Sequence, residues 1–182
     1  MRLCDTDILH ELEHGDLQIT PLPEDQARWL QPAGVDLRLA CEFRRLSPYL
    51  ACIRPHALTG EEFDEPCDLN ADGEFRLAPG EFALARTMEY VKIPRDLSAN
   101  LDERSTYARC GVLMHLVAGN IEPGFEGHIT LELANLTPCP VFLKPGEPVV
   151  QMTLNALSDV PGRDYTTKGG RYQRSHGCIA PR

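Results

Sequence analysis

The sequence predicts a mainly β protein, a sandwich, jelly roll or barrel, with a few short helices. Short apolar-polar alternating runs recur along the chain, Pro- and Gly-rich turns separate them, and the runs follow one another at close, regular spacing. At 182 residues the chain reads as one domain, 1–182, long enough to bury a core. No internal repeat or linker divides it.

The elements follow in order. Residues 4–14 predict a short amphipathic helix, with Asp5 or Thr6 to cap it, Ile8, Leu9 and Leu12 as its apolar face, and Gly15 to stop it. Val35-Asp36-Leu37-Arg38-Leu39 alternates like a half-buried strand, with Asp36 and Arg38 on the polar side as a structural ion pair. Phe75-Arg76-Leu77, a turn at Pro79-Gly80, and Phe82 to Thr87 read as a hairpin-like region that ends at Val91 to Pro94. Arg104 to Arg109 reads as one helical turn. Four more strands are predicted at Val112 to Val117, His128 to Leu133, Val141 to Leu143 and Val149 to Leu154, with turns at Pro123-Gly124, Pro138 and Pro145-Gly146.

Composition narrows the function. Charged residues at 25% and hydrophobic ones at 42% suit a globular protein, and no apolar run approaches the roughly 20 residues of a membrane span. With no secretory h-region at the N-terminus, the expected location is the cytoplasm. The net charge of −9 argues against a nucleic-acid binder. Residues 60–74 carry seven acids and no base, a solvated loop, whereas 163–182 carry five Lys/Arg against one Asp. That basic tail could close over an anionic ligand. The seven cysteines never form C-x-x-C and read as reduced, mostly buried thiols.

Two stretches could carry chemistry. Arg104-Ser105-Thr106-Tyr107-Ala108-Arg109 packs two arginines and two hydroxyls into six residues, an arrangement suited to an anion. Glu132 lies on a strand whose Ile129, Leu131 and Leu133 face one way and whose His128, Thr130 and Ala134 share its own side. Periodicity alone favours a solvated second face. A carboxylate tuned by burial and a nearby arginine could instead shuttle protons. His10-Glu11-Leu12-Glu13-His14 matches the H-E-x-x-H zinc-protease signature, but the helix ends at once and no third ligand motif follows. Surface charge on a terminal helix is the preferred reading there.

In their order, Ala33-Gly34-Val35-Asp36-Leu37-Arg38-Leu39, Phe82 to Tyr90, Arg104 to Gly111, Pro123-Gly124-Phe125-Glu126-Gly127, Ile129 to Leu133 and Gly170-Arg171-Tyr172-Gln173 resemble the dCTP deaminase family of the dUTPase-like superfamily. The resemblance spans nearly the whole chain. It implies a distorted β-barrel or jelly roll of the dUTPase-like type, a homotrimer with sites between subunits, and a triphosphate bound with Mg2+. It also implies deamination of dCTP to dUTP and ammonia, supplying dUTP or dUMP for thymidylate synthesis. Glu132 would be the catalytic carboxylate, activating water for attack on cytosine C4 and passing protons to the ring nitrogen and the departing ammonia. Ser105 and Arg109 would order that water and keep Glu132 charged. Arg104, Ser105 and Thr106 would bind phosphate, Ala118 and Gly119 would meet the base through their backbone, and Glu122 would hold the deoxyribose 3′-hydroxyl. The tail around Arg171 and Tyr172 would fold over the nucleotide. The implied partners are dCTP or dUTP, dTTP as an inhibitor, and no nucleic acid or membrane.

The zinc deaminase patterns, H-x-E with P-C-x-x-C, do not occur, so the family's metal-free activation of water is implied, with no zinc. Four positions bear on the details. Ala118-Gly119-Asn120-Ile121-Glu122 has Glu where the family's A-G-x-I-D loop has Asp, and Val117 stands where Thr is common. Gln151 in Pro145-Gly146-x-x-Val149-Val150-Gln151 matches a phosphate motif of dUTPases and bifunctional members, while Ser175 replaces a tail Gln. Gln151 and the Ala118-Gly119 loop favour the alternative of a bifunctional dCTP deaminase/dUTPase giving dUMP and pyrophosphate. A non-catalytic nucleotide-binding regulator is the alternative from another class.

Overall fold

The computed structural model describes residues 1–58, 62–64, 66–116 and 119–178. About 40% of the chain is strand and 10% helix, in a curled half-barrel sheet, so the mainly β prediction holds. Helix α1 (Asp5–His14) leads into strands β1 (Gln18–Thr20), β2 (Leu30–Gln31), β3 (Gly34–Arg45), β4 (Phe75–Leu77), β5 (Phe82–Lys92) and β6 (Leu97–Glu103). Helix α2 (Ser105–Arg109) precedes β7 (Val112–Leu113), β8 (Asn120–Ile121), β9 (Glu126–Asn135), β10 (Val141–Leu143) and β11 (Pro148–Ala156). The large sheet runs β7-β9-β5-β3-β11-β6-β8, with β1 added on β5 and β2 on β3.

Position in that sheet explains where local patterns hold. β9 alternates strictly, each second residue buried, because one of its faces lies on the core. Its Leu131 and Leu133 join Leu37, Leu39, Phe43, Phe75, Ala85 and Val150 there, and the Phe43 and Phe75 rings stack 4.1 Å apart. β3 differs from the prediction. It runs to Arg45 and is buried on both sides over its first four residues, since it lies between β5 and β11 with β2 beside it.

The Asp36–Arg38 pair does not form. Arg38 donates to Glu89 across the sheet at 2.6 Å, and Asp36 pairs with Arg104. Residues two apart along a strand are about 6.6 Å apart, whereas cross-strand neighbours are about 5 Å apart, so charges find partners across the sheet. Glu89 is 0% exposed, and burial raises its carboxyl above the ordinary value while Arg38 and the Arg38 amide oppose the rise. The hairpin-like pairing of β4 with β5 is absent too. β4 pairs with β10 instead, Arg76 opposite Phe142.

The caps and cysteines also differ from expectation. Cys4, not Asp5 or Thr6, caps α1, because Asp7 reaches back to accept from the Cys4 amide at 3.2 Å. All seven cysteines are free, but five are exposed on this chain, since they fall at caps, turns and the outward side of β3. Cys178 alone is buried, and burial followed by the neighbouring Glu42 carboxylate pushes its thiol up to about 12. No helix among the described residues is long and apolar enough to cross a membrane.

Leu131 is 0% exposed on the core side of β9. Leu131→Ala is therefore expected to destabilise the fold by about 2–5 kcal/mol in urea unfolding. A loss within about 0.5 kcal/mol, typical of surface sites, would contradict this placement.

Candidate active site

Two cavities flank the sheet and share no lining residue. The larger, of about 350 Å³, has the outer face of β9 as one wall, with His128, Thr130 and Glu132. Phe82 and Leu84 of β5, Ile121 of β8, Phe125, and the tail residues Tyr165, Tyr172 and Ser175 complete much of the rest. The face that periodicity alone read as solvated is thus half-buried against an apolar enclosure. Register puts Glu132 opposite Leu84 and His128 opposite Tyr90. No hydrogen bond or ion pair from a described residue reaches the Glu132 carboxylate. A partly desolvated acid with no partner among the described residues is uncommon in a folded protein.

His128 was not singled out by sequence as more than a neighbour of Glu132. Its Nδ1 lies 3.2 Å from the Thr87 carbonyl and 3.1 Å from the Glu89 carbonyl, at the register shift in β5 between Arg86 and Tyr90. Arg86 Nη1 also approaches Nδ1 at 3.2 Å. Two carbonyls can only accept, so a protonated Nδ1 makes two favourable contacts against one unfavourable, and Nε2 is left with its lone pair.

The tail is built onto this cavity. The Ser175 carbonyl accepts from the His128 amide at 2.9 Å, and Ser175 Oγ donates to the His128 carbonyl at 2.9 Å. Gly127, at φ 152°, makes the approach possible, since a Cβ there would sit 2.9 Å from the Ser175 nitrogen. Gln173 donates to the Gly124 carbonyl and accepts from the Glu126 amide, and Tyr165 packs edge-on against Phe125 at 5.5 Å. Ser175 thereby forms an isolated parallel bridge with Gly127.

The smaller cavity, of about 250 Å³, is lined by Gln31, Asp36, Glu103, Arg104, Ser105, Thr106 and Gln151. Four strands and α2 meet there. Gln151 of β11 lies directly opposite Asp36 of β3 and donates to it at 3.4 Å, and Gln31 of β2 donates to Asp36 at 3.0 Å. Asp36 is 2% exposed, and its Arg104 partner completes the satisfaction of that buried carboxylate. Sequence reasoning missed Asp36 as a site residue because its partner is 68 residues away. Ser105 and Thr106 do not act as caps. Arg104 is the N-cap of α2, without a side-chain cap bond, and no described residue hydrogen-bonds either hydroxyl. Glu103 accepts from the Met114 and His115 amides and so ties this cavity to the chain leading toward β8.

The candidate residues are thus divided. Arg104, Ser105, Thr106 and Gln151 meet in the smaller cavity, and Glu122, Glu132 and Tyr172 in the larger. Arg109 is exposed at the end of α2 and lines neither; Arg171 and Gly119 also line neither. The Gly119 carbonyl accepts from the Leu101 amide at 2.9 Å, fixing that loop on β6. Ala118 and Val117 lie outside the described residues. His10 and His14 share a face of α1 with rings 5.0 Å apart, and no third metal-ligating side chain joins them among the described residues.

This curled antiparallel sheet is the dUTPase-like fold. It matches the 2′-deoxycytidine 5′-triphosphate deaminase of Agrobacterium tumefaciens at a TM-score of 0.66 and 21% identity, over 86% of this chain and 48% of that one. A dUTPase of phage 80alpha gives 0.50 at 14% identity, over 81% and 94%. The dCTP deaminase-like family model matches residues 2–157. A dCTP deaminase of Haloarcula marismortui is 41% identical over 97% of this chain and 92% of its own length. A dUMP-forming dCTP deaminase of Halobacterium salinarum is 42% identical over 100% and 94%. The chain belongs to the dCTP deaminase-like family.

Burial, and then the nearby Arg86 charge, hold His128 below its ordinary value of 6.5. The folded state therefore favours the neutral ring, and on acidification the unfolded chain takes up this proton first. The stability so contributed is complete above about pH 6.5 and is lost as pH falls below it. In thermal unfolding from pH 8 to pH 5, the wild type is expected to lose Tm relative to His128→Asn. An equal loss in both proteins would contradict the assignment.

Proposed function

We propose that the protein hydrolyses the 4-amino group of dCTP, giving dUTP and ammonia. The observation that carries this reading is Glu132, a half-buried carboxylate without a partner among the described residues, facing an apolar cavity of about 350 Å³, a volume suited to a nucleoside. In the proposed mechanism Glu132 takes a proton from water as the oxygen attacks C4. It delivers that proton to N3, then takes the proton of the new C4 hydroxyl and passes it to the departing amino group, so that ammonia leaves and the C4 oxygen becomes the uracil carbonyl. Membership of the family and relatives named dCTP deaminase at 41% identity support the substrate.

The smaller cavity is the proposed phosphate site, with Arg104, Ser105, Thr106 and Gln151 as ligands and Asp36 orienting Arg104. Asp36 already takes Arg104 and two amides, and no cluster of metal-ligating side chains lies there among the described residues, so the Mg2+ ion is proposed to arrive bound to the triphosphate with its waters. Such an ion neutralises phosphate charge. Arg109 and Ser105 are proposed to reach the water and Glu132 of a neighbouring chain in a homotrimer. This accounts for an arginine at an exposed helix end and a half-buried carboxylate that have no ion-pair partner among the described residues. Glu122 is the proposed 3′-hydroxyl ligand, the backbone at Ala118 and Gly119 the proposed base contact, and Arg171 and Tyr172 the proposed tail contacts.

A second reading adds cleavage of dUTP to dUMP and pyrophosphate. It is favoured by Gln151 in the smaller cavity and by dUMP-forming relatives at 40% and 42% identity.

Purified protein with Mg2+ and dCTP is expected to release ammonia, and Glu132→Gln to lower turnover by about 10²–10⁴-fold while keeping dCTP binding. Pyrophosphate appearing with ammonia would establish the bifunctional reading. Pyrophosphate from dUTP without ammonia from dCTP would overturn the deaminase reading.

A further inference from the structure

Glu122 carries one methylene more than the family's Asp, and the structure gives that methylene a partner. The Glu122 carboxylate lines the larger cavity, and its Oε2 takes the ammonium of Lys168. No described residue bonds its Oε1. Lys168 stands on a closed turn and is not a wandering tail side chain. Asp164 Oδ1 accepts from the Thr167 amide at 2.7 Å, Thr167 Oγ1 accepts from the Asp164 amide at 2.9 Å, and the Lys168 amide donates to the Asp164 carbonyl at 3.0 Å. Arg95 anchors the same turn through Asp164 at 2.8 Å.

The turn is joined to the cavity wall as well. The Tyr165 amide donates to the Pro123 carbonyl at 2.8 Å, the residue directly after Glu122. The Lys168 ammonium lies 5.3 Å from the Tyr165 ring centre, a cation–π contact, and Tyr165 itself lines the cavity against Phe125. Lys168 is therefore held by ring and turn on one side and by Glu122 on the other.

We infer that Lys168 is a positioning and specificity-determining residue for the sugar subsite: it occupies one oxygen of Glu122 and turns the other toward the 3′-hydroxyl of a deoxynucleotide. This inference rests on the proposed sugar role of Glu122. A carboxylate free to rotate would present either oxygen to the cavity or to solvent, whereas one tied through Oε2 offers Oε1 in a fixed place. Asp at position 122 would be too short to keep both the ammonium and the hydroxyl, so the longer acid and Lys168 belong together as a pair.

The test is calorimetric binding of dCTP and of 2′,3′-dideoxycytidine triphosphate, in the presence of Mg2+, to the wild type, Lys168→Met, Lys168→Arg, Glu122→Asp and Lys168→Met/Glu122→Asp. Met keeps the stem over Tyr165 and removes the charge. The wild type is expected to prefer dCTP, and Lys168→Met to lower that preference about three- to fivefold. Lys168→Arg should keep most of it, and Lys168→Met should add little in the Glu122→Asp background. A preference changed less than twofold by Lys168→Met, or equal weakening of both nucleotides, would overturn the inference while leaving the deaminase reading standing. A wild type that does not bind dCTP would overturn both.

Discussion

The two-residue period of β9 is the constraint on which the candidate site depends. Ile129, Leu131 and Leu133 are committed to the core, and each contributes on the order of 1.5–3 kcal/mol by its burial. Slipping the strand by one residue would expose all three and push Glu132 into that core, so the register against β5 is strongly fixed. Glu132 is thereby held at a half-buried depth that it would not adopt for its own sake. The same period puts His128 and Thr130 beside it, and the shift in β5 supplies the two carbonyls that orient the His128 ring. β7 pairs with Asn135 and Ala134 at the C-terminal end of β9, and α2, which ends at Arg109, leads directly into β7.

A second constraint governs the smaller cavity. A carboxylate buried as deeply as Asp36 must be paired, and Arg104, Gln31 and Gln151 supply the partners from three different elements. That need draws the start of α2 against β3 and β11. It leaves the adjoining Ser105 and Thr106 hydroxyls without partners among the described residues. The division of labour between the cavities follows from sheet topology. β9, paired with β5, carries Glu132, whereas α2 carries Arg104, Ser105 and Thr106 into the cavity lined by Asp36 of β3, Gln151 of β11 and Glu103 of β6.

Much of the fold was legible where the sequence has a single period. β10 matches its predicted bounds, β9 and β11 contain theirs, and α2 lies where the arginine-rich turn was read. β6 was not legible: Leu97, Ala99 and Leu101 alternate inward, but Ser98, Asn100 and Asp102 lack the β-branched character that marks a strand. Pairings between distant segments were not legible at all, as with β4 and β10 or Asp36 and Arg104, because no local pattern records them. Glu132 was legible as a carboxylate on a patterned strand, but periodicity left its face solvated and only the resemblance implied its role. What encloses that face is Phe125 and the tail residues Tyr165, Tyr172 and Ser175, held there by contacts across 47 residues of sequence. The extra methylene of Glu122 was visible in the sequence, but its partner Lys168 was not.

We propose that one chain carries only part of each site, with Glu132 supplied by one subunit and Arg109 by the next. Subunit complementation tests it most directly. Glu132→Gln and Arg109→Ala proteins, each inactive in ammonia release from dCTP, are mixed in equal amounts, unfolded and refolded together. Random assembly in a closed ring gives about a quarter of the sites an intact pair, so about a quarter of wild-type activity is expected to return. A mixture that refolds, binds dCTP and stays as inactive as its components would contradict a site shared between chains.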